Sequence, residues 1–500
     1  MDTNKNTIIE TLLNGECVTL ECKRAKSEVP KSVWETYSAF ANTIGGVILL
    51  GIEENRKESD KKKRFQIIGV DDAQKIVNDF WNTINSDKVN ENILASSNVE
   101  TVEINGVQIV CIHVPQADWR IKPIYLNGNV YKGTYRRNHE GDYHCTERQV
   151  RAMIRDSFED GNDGMLLEHY DMNDIDLDTL HRYRTLFQFR NDGHVWNEAD
   201  DKTFLKNLGG YIIDRATGKE GLTMAGLMMF GKGLSVQERF ANFRMDYLDF
   251  CNLIGDERYS DRLTYDGRWE NNLYQFFSRV IPKVTADLPR PFHMEGIQRV
   301  DDTPQHKAVR EAFTNAIIHS DLLMDAGILR VEKHDDRLCF RNPGLLKLPV
   351  EMIYEGGNSK ARNPRIQNML RMVGYGENVG SGFPTIISAW KEAHWGEPEL
   401  KNKFEIDEVE LVLPIPVRGA NNRVNDSRND RVNDSRNDRI NSSMMVTLTI
   451  VRSNPGIQRK GISNISGKSI STIDRHLAIL VKEGLIEHRD SDKTGGYYAK

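Results

Sequence analysis

The sequence predicts a mixed α/β fold, an α+β chain of several domains, on three observations. Strand-length apolar runs, GGVILLGI at 45–52 and VEINGVQIVCIHV at 102–114, alternate with stretches of helical periodicity. The 500 residues exceed one core at roughly 100–200 residues per domain, so three or four domains are expected. From Arg423 an eight-residue unit, RVNDSRND, runs twice and begins a third time, cutting off a small C-terminal unit.

Composition bounds the class. Hydrophobic residues make up 39% and charged residues 28%, which suits a folded chain rather than a disordered one. No run approaches the roughly 18 uncharged apolar residues of a membrane helix, and no basic-then-apolar leader opens the chain. No membrane role is therefore expected. The cysteines Cys17, Cys22, Cys111, Cys145, Cys251 and Cys339 are scattered without a C-x-x-C pair. That argues against a zinc module or a disulfide scaffold and for a reducing, cytoplasmic setting. The net charge is −6, so nucleic-acid contact needs a local basic patch.

Residues 1–158 alternate helices with Val/Ile-rich strands and form the first expected domain. Glu16, Glu21 and the pair Glu53 and Glu54 flank its first strands, where they are expected to meet at one sheet edge. Three carboxylates there would hold magnesium or manganese for a nuclease, because hard cations take oxygen ligands. Lys23 would then hold a phosphate. The plainer reading pairs Glu21 with Lys23 at the surface and leaves the other acids in solvent. Lys132, Tyr135, Arg136 and Arg137 interleave basic and aromatic residues, either as a phosphate-contacting strip or as a solvated hairpin face.

Residues 159–297 read as a mainly helical connecting domain. Met224, Leu227, Met228 and Met229 fill a core, and Trp269, Tyr274, Phe276 and Phe277 are core or interface aromatics. Residues 298–417 mix helix and strand. A helix over 303–319 places Glu311 and Asn315 one turn apart. Such a pair can divide a job: the carboxylate orients or deprotonates water, and the amide oxygen binds a magnesium ion that also holds phosphates. A strand pair follows, then Asn342-Pro343-Gly344, a mobile-looking stretch at 355–363, and glycines including Gly380 and Gly382 around Ser381 before another helix. Glycines before a helix let backbone N–H groups approach phosphate. His306 and His319 read as local hydrogen-bonding residues.

Residues 418–443 hold the RVNDSRND repeat and read as a disordered, solvated linker. Residues 444–500 read as three helices and a two-stranded wing, the winged helix-turn-helix plan. Ile473, Leu477 and Leu480 form the buried stripe of the third helix. Lys468, Ser469, Ser471, Thr472 and Arg475 lie at the start of that helix, away from the stripe, and Lys493 sits in the wing. Nine Lys/Arg against five Asp/Glu make this unit basic within an acidic chain, as DNA contact requires. A winged helix used only for protein contact is the alternative.

Three segments resemble known families. ECVTLECK, SAFANTIGGVILLGIEE and PIYLNGNVYKGTYRR resemble the Schlafen-type AlbA domain over about residues 8–155. The resemblance implies nucleic-acid binding and, in nuclease members, an acidic triad on Glu16, Glu21 and one of Glu53 and Glu54, where the usual third acid is often Asp. REAFTNAIIHSD, RNPG and NPRIQNMLRMVGYGENVGSGFPTI resemble a divergent GHKL ATPase, the α/β sandwich found behind such AlbA domains. It implies ATP with magnesium, Glu311 activating water, Asn315 as magnesium ligand, and Gly380, Ser381 and Gly382 as the phosphate turn. Asn342, with Gly344 after it, stands where that family has an adenine-contacting Asp, and a lid over 355–378 would close on nucleotide. The C-terminal unit resembles winged helices of bacterial transcriptional regulators. The leading expectation is a cytoplasmic, homo-oligomeric, ATP-binding regulator that contacts DNA, with RNA as the other target. The rival is a Schlafen-like metal-dependent nuclease of tRNA or DNA in phage defence, gated by the ATPase-like module. The third is an interaction scaffold.

Overall fold

The computed structural model describes residues 18–55, 58, 64–139, 141–158, 161–253, 256–289, 294–295, 298–299, 302–357, 359–376, 382–416, 447–448, 450–452, 454–466, 470–482, 484–489 and 496–499. The chain forms two compact units, residues 1–421 and 422–500. The expected linker over 418–443 lies outside the described residues.

The first unit begins with β1 (Leu20–Lys23), α1 (Ser32–Asn42), β2 (Gly46–Leu50), β3 (Ile52–Glu54), β4 (Phe65–Ile67), α2 (Ala73–Ile84), β5 (Val99–Ile104), β6 (Val107–Val114), β7 (Tyr135–Asn138), β8 (Gly141–His144) and α3 (Glu147–Asp156). A sheet of order β1-β2-β6-β5 carries the apolar runs, β1 parallel to β2 and the rest antiparallel. Helix α1 is buried over most of its surface, which explains why its polar residues are few and committed. Ser38 Oγ donates to the Ile124 carbonyl at 2.8 Å. Asn42 Nδ2 donates to the same carbonyl at 2.8 Å and to that of Tyr135 at 3.0 Å, and its Oδ1 accepts from the Ile124 N–H. The SAFAN phrase thus locks α1 to the β7 strand. Gly46 must be glycine, since a Cβ there would meet the Phe40 ring and the Thr19 carbonyl at 2.8 Å.

Onward run α4 (Leu177–Arg190), α5 (Met224–Phe230), β9 (Arg244–Asp249), β10 (Asp261–Leu263), α6 (Leu273–Thr285), α7 (Pro304–Ile318), β11 (Ile328–Lys333), β12 (Arg337–Pro343), α8 (Pro364–Met372), α9 (Gly382–Ala393), β13 (Glu399–Lys403) and β14 (Glu408–Pro414). Six strands form one sheet of order β10-β9-β11-β12-β14-β13, with β9 parallel to β11. Charges ladder across one face: Arg341 bonds Glu410 at 2.7 Å and Glu332 at 3.2 Å. The apolar residues Phe340 and Leu411 of this sheet join Phe313 of α7 and Trp390 of α9 in the core.

Two expectations need revision here. One hydrophobic core runs from Leu167 to Leu413, and β9 of the middle segment is a strand of the six-stranded sheet. The boundary expected near residue 297 therefore falls inside a single core. Met224 and Leu227 to Met229 are fully buried in it, as are Phe276 and Phe277 within a percent. Within the stretch 355–378, expected as a mobile lid, the described residues 359–376 are instead largely packed. Ile366, Met369 and Leu370 of α8 are buried, and Arg362 grips Asp156 through two bonds of 2.7 Å. Burial of that apolar face outweighs the glycines that suggested a lid.

In the second unit, residues 447–448 and 450–452 are helical, followed by α10 (Arg459–Ser466), α11 (Ile470–Lys482), β15 (Ile486–Arg489) and β16 (Gly496–Ala499). Ile473, Leu477 and Leu480 are at most 2% exposed and share a core with Leu448, Val451 and Ile462. His476, not singled out in the sequence, is buried against the Thr447 hydroxyl at 2.9 Å.

Candidate nucleotide site and nucleic-acid surfaces

Helix α7 starts where Thr303 caps it, its hydroxyl accepting from the His306 N–H, with Pro304 at the first helical position. His306 Nδ1 meets the same hydroxyl at 2.7 Å, the local role expected for it. Two and three turns further on, Glu311 and Asn315 face one cavity, Asn315 Nδ2 donating to Glu311 Oε1 at 3.2 Å. Asn342 from β12 and Gly382 at the start of α9 line the same cavity, over an apolar floor of Phe340, Val409 and Leu411. Four residues expected at a nucleotide site, from three elements far apart in sequence, are brought together.

Local chemistry tightens the site. A Cβ on Gly382 would run into the Glu311 carboxylate, so glycine lets α9 begin against that side chain. Asn342 is 4% exposed, and its Nδ2 has no hydrogen-bond partner among the described residues. A buried amide without a partner costs free energy that a ligand acceptor would relieve. Lys347, Lys360 and Arg371 add positive charge to the wall. Sequence reasoning missed them because Lys360 and Arg371 lay in the presumed lid. His319 also lines the cavity rather than serving only a local bond. Enclosure, then the charges of Arg362 and Lys347, push its imidazole down to about 4, so it is neutral at pH 7.

Gly344 does not join this cavity. It lies at φ +89°, donates its N–H to the Asp407 carbonyl at 2.7 Å, and lines a neighbouring cleft. A Cβ there would meet the Arg362 guanidinium and Asp321, both at 2.9 Å, so its role is backbone geometry. Gly380 and Ser381 lie outside the described residues.

Of the N-terminal candidate acids, the three that are described are each matched by a base. Glu21 bonds Lys23 at 2.5 Å and Arg137 at 2.8 Å, Glu53 pairs with Arg24 at 3.3 Å, and Glu54 with Arg64 at 2.5 Å. Glu16 lies outside the described residues. Among the described residues no metal-spaced trio includes Glu21, Glu53 or Glu54. The trio that does occur is Glu332, His334 and Cys339, within 4.8 Å, but Arg341 already bonds Glu332, which disfavours a dication there.

The strip of Lys132, Tyr135, Arg136 and Arg137 divides. Lys132 is exposed and Tyr135 half-buried, whereas both arginines are buried. Arg137 holds Glu21 and Asp142 and lies 5.2 Å from the Phe40 ring centre. Arg136 holds Asp407. Alternation along β7 turns these two residues to opposite faces, and both faces are covered, so neither arginine is left for phosphate.

In the second unit Arg475 is exposed and Thr472 half-buried on α11. Ser471 belongs to α11, with its side chain outside the described residues, and Lys468, Ser469 and Lys493 lie outside them too.

In comparison with known families, residues 16–146 match the family described as Schlafen, AlbA_2. Residues 328–413 match the family described as putative ATP-dependent DNA helicase recG C-terminal, and residues 151–246 match a domain of unknown function. No curated protein matches. Among solved structures, a crystal structure of the DIP2311 protein from Corynebacterium diphtheriae aligns at 17% identity and TM-score 0.38, covering 98% of this chain and 96% of that one. The N-terminal domain of a putative ATP-dependent DNA helicase RecG-related protein from Nitrosomonas europaea aligns at 25% identity and TM-score 0.22, covering 29% of this chain and 94% of that one. No helix among the described residues is long and apolar enough to cross a membrane.

Proposed function

We propose that this chain, which carries a Schlafen, AlbA_2 segment followed by an ATPase-like segment, binds a nucleoside triphosphate beside Glu311 and Asn315 and contacts nucleic acid, acting as a nucleotide-responsive regulator. The observation that carries the reading is the meeting of Glu311, Asn315, Asn342 and Gly382 around one cavity with cationic walls. Asn315 gives its Nδ2 to Glu311 and so keeps its carbonyl oxygen for a hard cation. Magnesium fits that oxygen donor set and would neutralise phosphate charge. Glu311 is the group that would orient or deprotonate water. Asn342 offers a base both a donor and an acceptor. Lys347, Lys360 and Arg371 suit the phosphates. The cavity is narrow, about 100 Å³, so a nucleotide must push back the wall near Lys360, and that movement is how binding would be felt elsewhere.

For nucleic acid, the second unit supports DNA more than the β7 strip does. Its order of helical segments followed by two paired strands fits the winged helix-turn-helix plan, and Arg475 stands exposed on α11 opposite the buried stripe. Among the described residues the nuclease alternative has no comparable meeting of acids behind it, since Glu21, Glu53 and Glu54 are each ion-paired.

The test is Mg-ATP binding by titration calorimetry and duplex binding by anisotropy. Asn315→Ala is expected to weaken Mg-ATP at least tenfold and to leave metal-free binding unchanged. Glu311→Gln keeps binding and loses phosphate release. Arg475→Ala weakens duplex binding and lowers its salt slope by about one. Equal ATP affinity in wild type and Asn315→Ala, with no duplex binding at low salt, overturns the reading.

A further inference from the structure

A second cavity, of about 490 Å³, opens between α3 and the turn joining β13 to β14, walled by the AlbA_2 segment on one side and the ATPase-like segment on the other. That volume is in the range of small-molecule sites, roughly 300–1,000 Å³. Its charges are unevenly matched. Asp321 is taken by Arg155 at 2.6 Å, Asp156 by Arg362 at 2.7 Å, and Asp407 by Arg136 at 2.6 Å. Glu147 is met by Arg151 at 3.7 Å, and Arg148 and Asp325 are exposed to solvent. Among the enclosed charges, two lysines are left over. Lys122 is half-buried, and its ammonium donates only to the Asn42 carbonyl at 3.3 Å. Lys347 is 9% exposed, and its ammonium lies 4.5 Å from the centre of the Trp119 ring. Neither ammonium has a described carboxylate oxygen within 4 Å, although both lie in the field of Asp156.

Enclosing two cations without counter-charges costs stability unless something anionic relieves it. The cost shows in the ammonium groups themselves. Burial, with Arg136 adding repulsion, brings Lys122 down to about 7, and burial, partly offset by Asp156, brings Lys347 down to about 8.

We propose that this cleft is a binding site for a small phosphate-bearing metabolite, its anionic group held between Lys122 and Lys347. The site is distinct from the nucleotide cavity, which Lys122 does not line, but Lys347 belongs to both walls. Binding in the cleft draws Lys347 towards it, so occupancy of one site is felt at the other through a single side chain. Recession of both lysines below the surface favours a small molecule over a duplex, whose phosphates are fixed on a rod.

The probe is inorganic pyrophosphate, titrated calorimetrically into the full chain at pH 8 in buffers of different ionisation enthalpy. Binding is expected with net proton uptake, because the anion restores the charge of both lysines. Lys122→Met weakens pyrophosphate at least tenfold and leaves Mg-ATP affinity within twofold, whereas Lys347→Met weakens both. Without ligand, Lys122→Met melts higher than wild type, since a buried amine that folding forces to give up its proton has been removed, and pyrophosphate no longer raises its Tm. The proposal is overturned by absent pyrophosphate binding, by equal binding to Lys122→Met, or by a lower Tm in that variant. It is also overturned if duplex DNA competes for the Lys122-dependent binding. Loss of Mg-ATP binding in wild type would undo the proposed function and leave these cleft measurements standing.

Discussion

Arg136 on β7 reaches Asp407 in the turn between β13 and β14, Nη1 to Oδ1 at 2.6 Å, with its guanidinium 5.5 Å from the Phe404 ring centre. Its carbon stem crosses from the two-stranded β7–β8 sheet to a turn of the six-stranded one, and its Nη2 also donates to the Phe404 carbonyl at 3.3 Å. A residue that reads as a phosphate contact in sequence is thus a tie between two sheets.

That tie sets the first prediction. Arg136→Ala leaves Asp407 without its cation and lowers unfolding free energy by about 3 kcal/mol, the lower end for a buried pair broken on one side, because Asp407 keeps some solvent. Arg136→Met with Asp407→Asn recovers much of the loss. Urea unfolding of wild type and the two variants measures it, and a loss under about 0.5 kcal/mol in Arg136→Ala would remove the tie.

Gly382→Ala probes the nucleotide cavity without removing a polar group. The new methyl displaces the Glu311 carboxylate, the free end of a flexible side chain, and separates it from Asn315. Stability should change by less than about 0.5 kcal/mol. Mg-ATP affinity or turnover should fall about tenfold, about 1.4 kcal/mol. Unchanged nucleotide binding and turnover would place the ligand elsewhere.

His319 predicts a pH dependence. Its folded value, about 4, lies below that of a free imidazole, roughly 6.5. Between those values the unfolded chain binds the extra proton, so stability is full above about 6.5 and is lost as pH falls towards 4. The loss is at most about 3 kcal/mol. Urea midpoints at pH 7.5 and 5.0 should differ less in His319→Gln than in wild type. An identical difference in both proteins would assign the effect to other groups.

Much of the fold was legible because its signals are local. The 3.6-residue spacing of Ile473, Leu477 and Leu480, the helical pattern over 303–319 and the apolar run at 46–50 each depend on near neighbours, and each element formed where its residues indicated. The Glu311–Asn315 pair was legible for the same reason, being one helical turn long.

The unread part depends on partners distant in sequence. Lys23 lies two positions from Glu21 and that pair was legible, but Arg137 is 116 positions from Glu21 and Arg362 is 206 from Asp156, so nothing local reveals that either arginine's charge is already matched. The 355–378 stretch looked loose because glycine and asparagine favour turns, yet Asp156 and the buried face of α8 hold it.

By itself, then, the sequence determined the order and kind of the elements, the helical pair at 311 and 315, and the separation of a basic C-terminal unit. Only the tertiary structure decided which charges remain available: it consumed Arg136, Arg137 and Glu21 in ion pairs and left Lys122 and Lys347 without one among the described residues. The reason is physical. Helix and strand formation answers to spacing along the chain, whereas the state of a charge answers to whatever folding brings within about 4 Å of it.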